Sequence, residues 1–425
     1  MAIVATTAAD PVQRVSRRWI ASVSLANLGL FMAYFGPLGV LLPNQVQAIA
    51  GPRKVLAFGL VTGLGALVAV VVNPLAGALS DRTVSRLGRR RPWTLFGALA
   101  SAAALVLLAG EHTIAGVAVG WCLAQAGMNA MQAGITASIP DRVPVAQRGA
   151  VSAWLGVPQC VGVIFAVVLV RLVAGDGGYL LLAVAVVLLA VPFVMAAPAG
   201  ANPRDRPAAR LTAARPPLAT GDFLRSFWMP LRHNRDFAWA WLTRFLMVLG
   251  NSAAVLYLLY FLRDRVHYST VFPGQPAENG LVILLLVYTT VVVVTAVASG
   301  LASDRSGRRR RLVVISGLVM AVPAIMLALW PNWWVVVAAA AVLGLGFGIY
   351  LSVDQALITQ VLPSADGHGR DLGVISVASS AGQALAPAIA APIVTYLGGY
   401  PVLYFLVAVL VLLGSAAVSR VRSVS

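Results

Sequence analysis

The stretch Gly77–Trp93 reads GALSDRTVSRLGRRRPW, and Ser299–Leu312 repeats its plan as SGLASDRSGRRRRL. Each copy runs through small residues to an Asp-Arg pair and then to a Gly followed by clustered Arg, and each stands between two long apolar runs. Arginine is costly in hydrocarbon and is biased toward cytoplasmic loops of membrane proteins, so both stretches read as short cytoplasmic loops joining transmembrane helices.

The surrounding chain fits that reading. Of 425 residues, 60% are hydrophobic and 11% charged, and the mean hydropathy is +0.87, far outside the range of a soluble domain. The formal charge of +17 would suggest nucleic acid in a soluble protein. Here the basic residues sit in the gaps between apolar runs, so the charge is a topology signal and no nucleic-acid partner is expected. Cys122 and Cys160 lie inside apolar runs and the four histidines in loops, without metal-ligand spacing, so neither a metal nor a cofactor is expected.

Apolar runs long enough for a bilayer core of ~30 Å begin at Trp19 and end near Val418. They cover roughly 19–42, 55–80, 92–110, 113–139, 150–173 and 178–197, then 236–262, 279–302, 312–330, 333–361, 372–396 and 400–418. The basic stretch before Trp19 imitates a signal peptide, but no small-residue cleavage site follows it. The expected fold is therefore an all-α membrane protein of twelve transmembrane helices in two six-helix halves, residues 1–197 and 236–425. A polar linker, 198–235, joins them. With both termini cytoplasmic, 25 basic residues fall on the cytoplasmic side and 5 outside. This asymmetry supports the orientation and a plasma-membrane protein.

The halves echo each other beyond the loop motif. Asp81 precedes Pro140, and Asp304 precedes Pro363, by the same 59 residues. Two repeats joined by a linker are a common transporter plan.

The paired G-x-x-x-D-R…G-R-R loops and the six-plus-six split resemble the major facilitator superfamily. The longer first copy, SDRTVSRLGRRRPW, is similar to the loop of sucrose/proton symporters and of glycoside-pentoside-hexuronide cation symporters. The resemblance implies that Gly77, Asp81, Arg82 and Arg89, with Asp304, Arg305 and Arg308, form a charged latch that is made in one transport state and lost in another. The bland alternative is a loop cap that only fixes topology. The resemblance also implies that runs 1, 4, 7 and 10 line a central cavity.

Among the acids only Asp354 is embedded in an apolar run, and among the bases only Arg244. Counted from the cytoplasmic ends of their runs, both lie ~12 to 14 Å deep. They are the candidates for a proton- or cation-coupling pair, the alternative being a static salt bridge between helices. Polar residues recur at helical spacing on the same runs. Trp121, Gln125, Asn129 and Gln132 share one face of run 4, with Asn27, Phe31 and Tyr34 in run 1, Asn251 in run 7, Tyr350 in run 10 and Gln383 in run 11. Amides suit hydroxyl-rich ligands and rings cover the apolar face of a sugar. The same residues also serve as interhelical glue.

The function expected is secondary active transport of a small, saccharide-like solute by alternating access, coupled to protons or another cation, by a monomer. A proton-coupled exporter of drug-like or metabolite compounds is the second reading, since Met128, Met131 and Trp154 lie near the amides. An enzyme is not expected, because the apolar runs hold a single acid.

Overall fold

The computed structural model describes residues 14–83, 85, 87–171, 173, 175–196, 234–306, 309–361 and 368–421. Helix α1, Arg17–Gly36, passes through a π turn at Pro37–Leu41 into α2, Leu42–Ala50, and a 3-10 turn at Gly51–Arg53 leads into α3, Lys54–Arg82. Next come α4, Arg91–Ala109, α5, Ile114–Arg142, α6, Val145–Arg171, and α7, Gly177–Met195. Beyond the linker follow α8, Arg235–Leu256, the short α9, Leu258–Asp264, and α10, Tyr268–Val271. The last five are α11, Ala277–Ser306, α12, Arg309–Leu329, α13, Trp333–Val361, α14, His368–Tyr396, and α15, Gly399–Val418.

Ten stretches among the described residues are long and apolar enough to cross a membrane. The first is the 66-residue run Arg17–Arg82, which would measure ~99 Å as one straight helix, several times the hydrocarbon thickness. The sequence predicts a break after Leu42. Helix continues instead to Ala50, and the break falls at Gly51, whose φ of 52° ends α2. Pro52 follows at the start of the 3-10 turn. A left-handed φ favours glycine, and proline lacks the N–H that an uninterrupted helix needs, so this pair stops the helix without a polar loop.

Lipid-like surroundings show in what is left uncovered. Leu60, Leu64, Leu67, Val71 and Leu75 form an exposed stripe along α3 at spacings of three and four, a helix face suited to acyl chains. Hydrocarbon gives apolar helices little reason to associate, so they must pack by close approach. At the α4–α5 crossing, a Cβ placed on Gly97 would lie 2.4 Å from the Met131 nitrogen, and one on Gly127 would lie 2.6 Å from the Ser101 nitrogen. In α13 the alternate glycines serve two neighbours. Gly344 and Gly348 meet the α11 carbonyls of Tyr288 and Val292, whereas Gly346 meets Met320 and Ser316 of α12.

The described residues fall into two compact units, neither continuous in sequence. One takes those within Met1–Pro37, Val71–Glu111 and Gly120–Ala214; the other takes those within Leu38–Val70, His112–Val119 and Arg215–Ser425. Inside the first, α1 packs on α6 and α7, and α4 on α7. Inside the second, α8 packs on α14 and α15, and α12 on α15. Counting α1–α2 and α8–α9 each as one run, these are the same pairings six runs apart, so the sequence repeat has a counterpart in packing.

Candidate functional site

Helix α8 carries Arg244 two turns in from its start, where Asn234 accepts a hydrogen bond from the Phe237 N–H and caps the helix. Helix α13 carries Asp354. Arg244 Nη1 lies 3.3 Å from Asp354 Oδ2, with side-chain exposures of 17% and 7%. The pair expected from depth is therefore in ion-pair contact. Two further groups complete it: the Tyr350 hydroxyl donates to Asp354 Oδ1 at 3.0 Å, and Arg244 Nε donates to Ser379 Oγ of α14 at 2.7 Å. Tyr350 sits one turn before Asp354, so both project from one face of α13. A carboxylate with an arginine on one oxygen and a phenol on the other is compensated in its charged form.

Asn251 lies on the same helix as Arg244 and accepts from the Tyr288 hydroxyl at 3.2 Å. The Tyr288 ring stacks on Phe347, and Phe347 lies against Tyr350. A chain of rings thus links Asn251 to the ion pair. Gln383 is exposed on α14.

The polar stripe of α5 lies in the other unit. Trp121, Gln125 and Asn129 are buried and Gln132 is half-buried. The Asn129 amide donates to the Gln125 carbonyl at 2.8 Å, and the Asn27 amide donates to the Leu155 carbonyl at 2.9 Å. Tyr34 meets Trp121 edge to face at 6.4 Å, and Phe31 stacks on Phe35. The Trp121 indole N–H and the Ser24 hydroxyl are buried without a hydrogen-bond partner. Asn27 and Asn129 thus each donate to a backbone carbonyl, whereas Trp121 keeps an unused donor.

At the motif loop Asp81 receives Arg90, and Arg90 also donates to Ser80. Arg90 Nε donates to Asp141 Oδ2 at 2.8 Å and Arg89 Nε to the same oxygen at 3.0 Å. Asp141, at the end of α5, is therefore a hub that the sequence analysis did not single out. Burial raises its carboxyl pKa, but the hydrogen bonds and charges of Arg89 and Arg90 outweigh burial and hold it below the usual range. Arg82 is exposed. A Cβ on Gly77 would meet nothing within 4 Å. The side chains of Asp304 and Arg305, and all of Arg308, lie outside the described residues.

A second charged network was not foreseen. It lies at the helix ends opposite the motif loops, within the unit that holds Leu38–Val70 and α8 onward. Lys54 Nζ contacts Asp264 Oδ1 at 2.6 Å, and the Tyr400 hydroxyl donates to Asp264 Oδ2 at 2.9 Å. Arg263 donates to Glu278 at 2.7 Å and to Gln47 at 2.8 Å, and Asn44 Nδ2 donates to Glu278 at 3.1 Å. The Tyr260 hydroxyl donates to the Pro43 carbonyl at 2.8 Å, while its ring packs on Phe58 and lies 5.0 Å from the Lys54 ammonium. The signal available was the gathering of rare opposite charges, Lys54 against Asp264 and Arg263 against Glu278, at helix ends on one side.

Apolar helices with small-residue crossings, a paired intrahelical acid and charged helix ends define a polytopic membrane protein. The Major Facilitator Superfamily profile matches residues 23–288 and 274–424, and the chain belongs to that superfamily. It is accordingly a membrane transporter of a small-molecule substrate rather than an enzyme. A lactose permease from Lactobacillus helveticus is 34% identical over 96 residues, which span 21% of this chain and 15% of the permease. Among solved structures, the nucleoside transporter NupG superposes with a TM-score of 0.70 at 14% identity, over 95% of this chain and 98% of that one. The human organic anion transporter MFSD10 (TETRAN) gives 0.68 at 18%, over 96% and 100%. A POT family transporter in complex with a thioalcohol-conjugated peptide gives 0.73 at 13%, over 94% and 95%. At these identities the likeness concerns the fold.

Proposed function

We propose that the chain is a secondary active transporter of the plasma membrane, moving a saccharide-like solute by alternating access and coupled to protons or another cation. It works as a monomer of twelve transmembrane helices in two halves, 1–197 and 236–425, joined by 198–235, with cytoplasmic termini. The observation that carries the coupling is the Arg244–Asp354 pair, buried and completed by Tyr350 and Ser379. Desolvation raises the proton affinity of an acid and a nearby arginine lowers it, so movement of the arginine switches that affinity. Arg244 is the proposed moving partner, and Ser379, which accepts from its Nε while the pair is closed, holds it in that arrangement.

For the solute, support comes from the amide and indole groups of α1 and α5 and from the partial likeness to a lactose permease. Phe31, Tyr34, Trp121, Gln125 and Gln132 in the first half are the proposed contacts, with Asn251, Tyr350 and Gln383 in the second. Asn27 and Asn129 complete the proposed set; Asn27 also ties α1 to α6 through the Leu155 carbonyl, and Asn129 bonds back to Gln125 within α5. Gly77, Asp81, Arg82 and Arg89, with Asp304, Arg305 and Arg308, are the proposed latch at the motif ends, to which Arg90 and Asp141 are added. The exporter reading stays second: Met128 and Met131 are as buried as Trp121, and Trp154 is exposed.

Uptake and efflux in proteoliposomes, against a saccharide panel under an imposed proton or sodium gradient, test the proposal. Asp354→Asn is expected to abolish accumulation while leaving solute exchange. Accumulation by that variant would remove the coupling role, and transport of lipophilic cations with no saccharide flux would favour export.

A further inference from the structure

The Arg244–Asp354 pair is the loosest ion pair among the described residues. Its 3.3 Å separation exceeds the ~2.7 to 2.9 Å usual for a charge-assisted hydrogen bond, whereas Lys54–Asp264 and Arg263–Glu278 close to 2.6 and 2.7 Å. Ser379 holds the guanidinium more closely, at 2.7 Å from Nε. The two members also differ in reach. The arginine side chain is 17% exposed and the aspartate 7%, and Gln383, one turn beyond Ser379 on the same face of α14, is exposed. Since α8, α13 and α14 belong to one unit, a molecule arriving on that side meets the guanidinium before the carboxylate.

Coupling by this pair needs a reason for it to separate. A ligand shifts an equilibrium only by its differential affinity for the two states, so the solute has to favour an Arg244 that has left Asp354. The inventory of charge narrows how. Among the acids only Asp354 is embedded in an apolar run, so no second carboxylate of the chain stands there to take over the guanidinium. Hydroxyls of a neutral sugar offer the arginine dipoles alone. A carboxylate matches the planar guanidinium fork with two charge-assisted bonds, each about twice as strong as a neutral one. A phosphate monoester would bring close to two negative charges against the one embedded base.

We infer that the solute is a saccharide bearing one carboxylate, a sugar acid, and that its carboxylate replaces Asp354 on Arg244. The inference rests on the transport reading above and names the solute class of that same site. Asp354, once released, takes one proton from the aqueous side on Oδ2, while the Tyr350 hydroxyl keeps its bond to Oδ1. The embedded site then holds one cation and one anion both before and after loading, and no uncompensated charge is left behind. One proton and one solute anion cross together, so no net charge moves.

Purified full-chain protein in proteoliposomes tests this, with D-gluconate and D-glucuronate as acid probes and D-glucose and lactose as neutral ones. Under an imposed proton gradient an acid probe is expected to accumulate at least about tenfold more than the neutral probes, and a potassium–valinomycin potential to leave that accumulation unchanged. Thermal unfolding reads binding apart from transport. The acid probe should raise Tm, and its apparent affinity should tighten by up to about tenfold for each unit fall in pH. Asp354→Asn should keep acid binding and lose its pH dependence, whereas Arg244→Lys, which keeps the charge without the fork, should weaken acid binding at least about tenfold. Accumulation of the neutral probes in preference to the acids would overturn the inference and leave the transport reading standing. No accumulation of any probe under a proton or a sodium gradient would fail both. A Tm rise matched by chloride at the same ionic strength, or acid binding by the unsubstituted chain that ignores pH, would also overturn the inference.

Discussion

Arg244 and Asp354 show what one charge costs once its partner is gone. With Arg244→Ala, Asp354 stays buried with only the Tyr350 hydroxyl, and removal of one member of a buried pair typically costs about 3 to 5 kcal/mol. The single variant should unfold at distinctly lower temperature, and Arg244→Ala with Asp354→Asn should recover most of the loss. Equal loss in both would mean that the arginine acts through packing rather than charge. Asp141 makes the corresponding case at the motif end. Its folded pKa lies below the unfolded value of about 3.9, so its contribution is complete above that pH and fades as pH falls through the folded value. Asp141→Asn should therefore be less stable by about 1 to 3 kcal/mol near neutrality, and the gap should close as the medium approaches pH 3. A gap that stays constant with pH would assign the aspartate a steric role.

Between helices, the decisive contacts are backbone to backbone. At Gly97 an added Cβ would meet the nitrogen of Met131 and the carbonyl of Gly127, atoms that cannot swing aside, so α4 and α5 would have to separate. Gly97→Leu should cost more than the ~1 to 3 kcal/mol usual for overpacking, seen as lost monodisperse protein in size-exclusion chromatography. Gly63→Leu, where nothing lies within 4 Å, should be tolerated. This contrast marks where the sequence was legible. Apolar runs located most helices within a few residues, since hydrocarbon demands long unbroken helices. The exception, α1 through α3, hid its boundary in Gly51 and Pro52 with no polar loop to announce it. Glycine crossings were visible as composition, but which helix each glycine meets depends on packing that no periodicity encodes. The ion pair was legible because a lone acid and a lone base in apolar runs have few other partners. Arg90 and Asp141 were not, because in a charged loop any arginine can serve any aspartate and only the fold chooses.

For the molecule as a transporter, the network of Lys54, Asp264, Arg263, Glu278 and Tyr400 ties residues near the α2–α3 turn to α9, α11 and α15 at the ends opposite the motif loops. Alternating access requires that the ties at each end be released in turn, so this network must open once per cycle if the halves move as proposed. The sequence supplies its own reporter, because Lys54 is the single lysine among 31 basic residues. Its ammonium is engaged by Asp264 and Gln47 and sits over the Tyr260 ring, which should slow acylation by an amine-reactive ester. Saturating solute, by changing how often the network is open, should change the acylation rate of Lys54 several-fold, as read by peptide mapping that separates it from the N-terminal amine. Asp264→Asn should raise the rate without solute, since the ammonium loses its carboxylate. Rates that ignore both solute and Asp264→Asn would make the network a static brace, and the opening step would have to be sought in other residues.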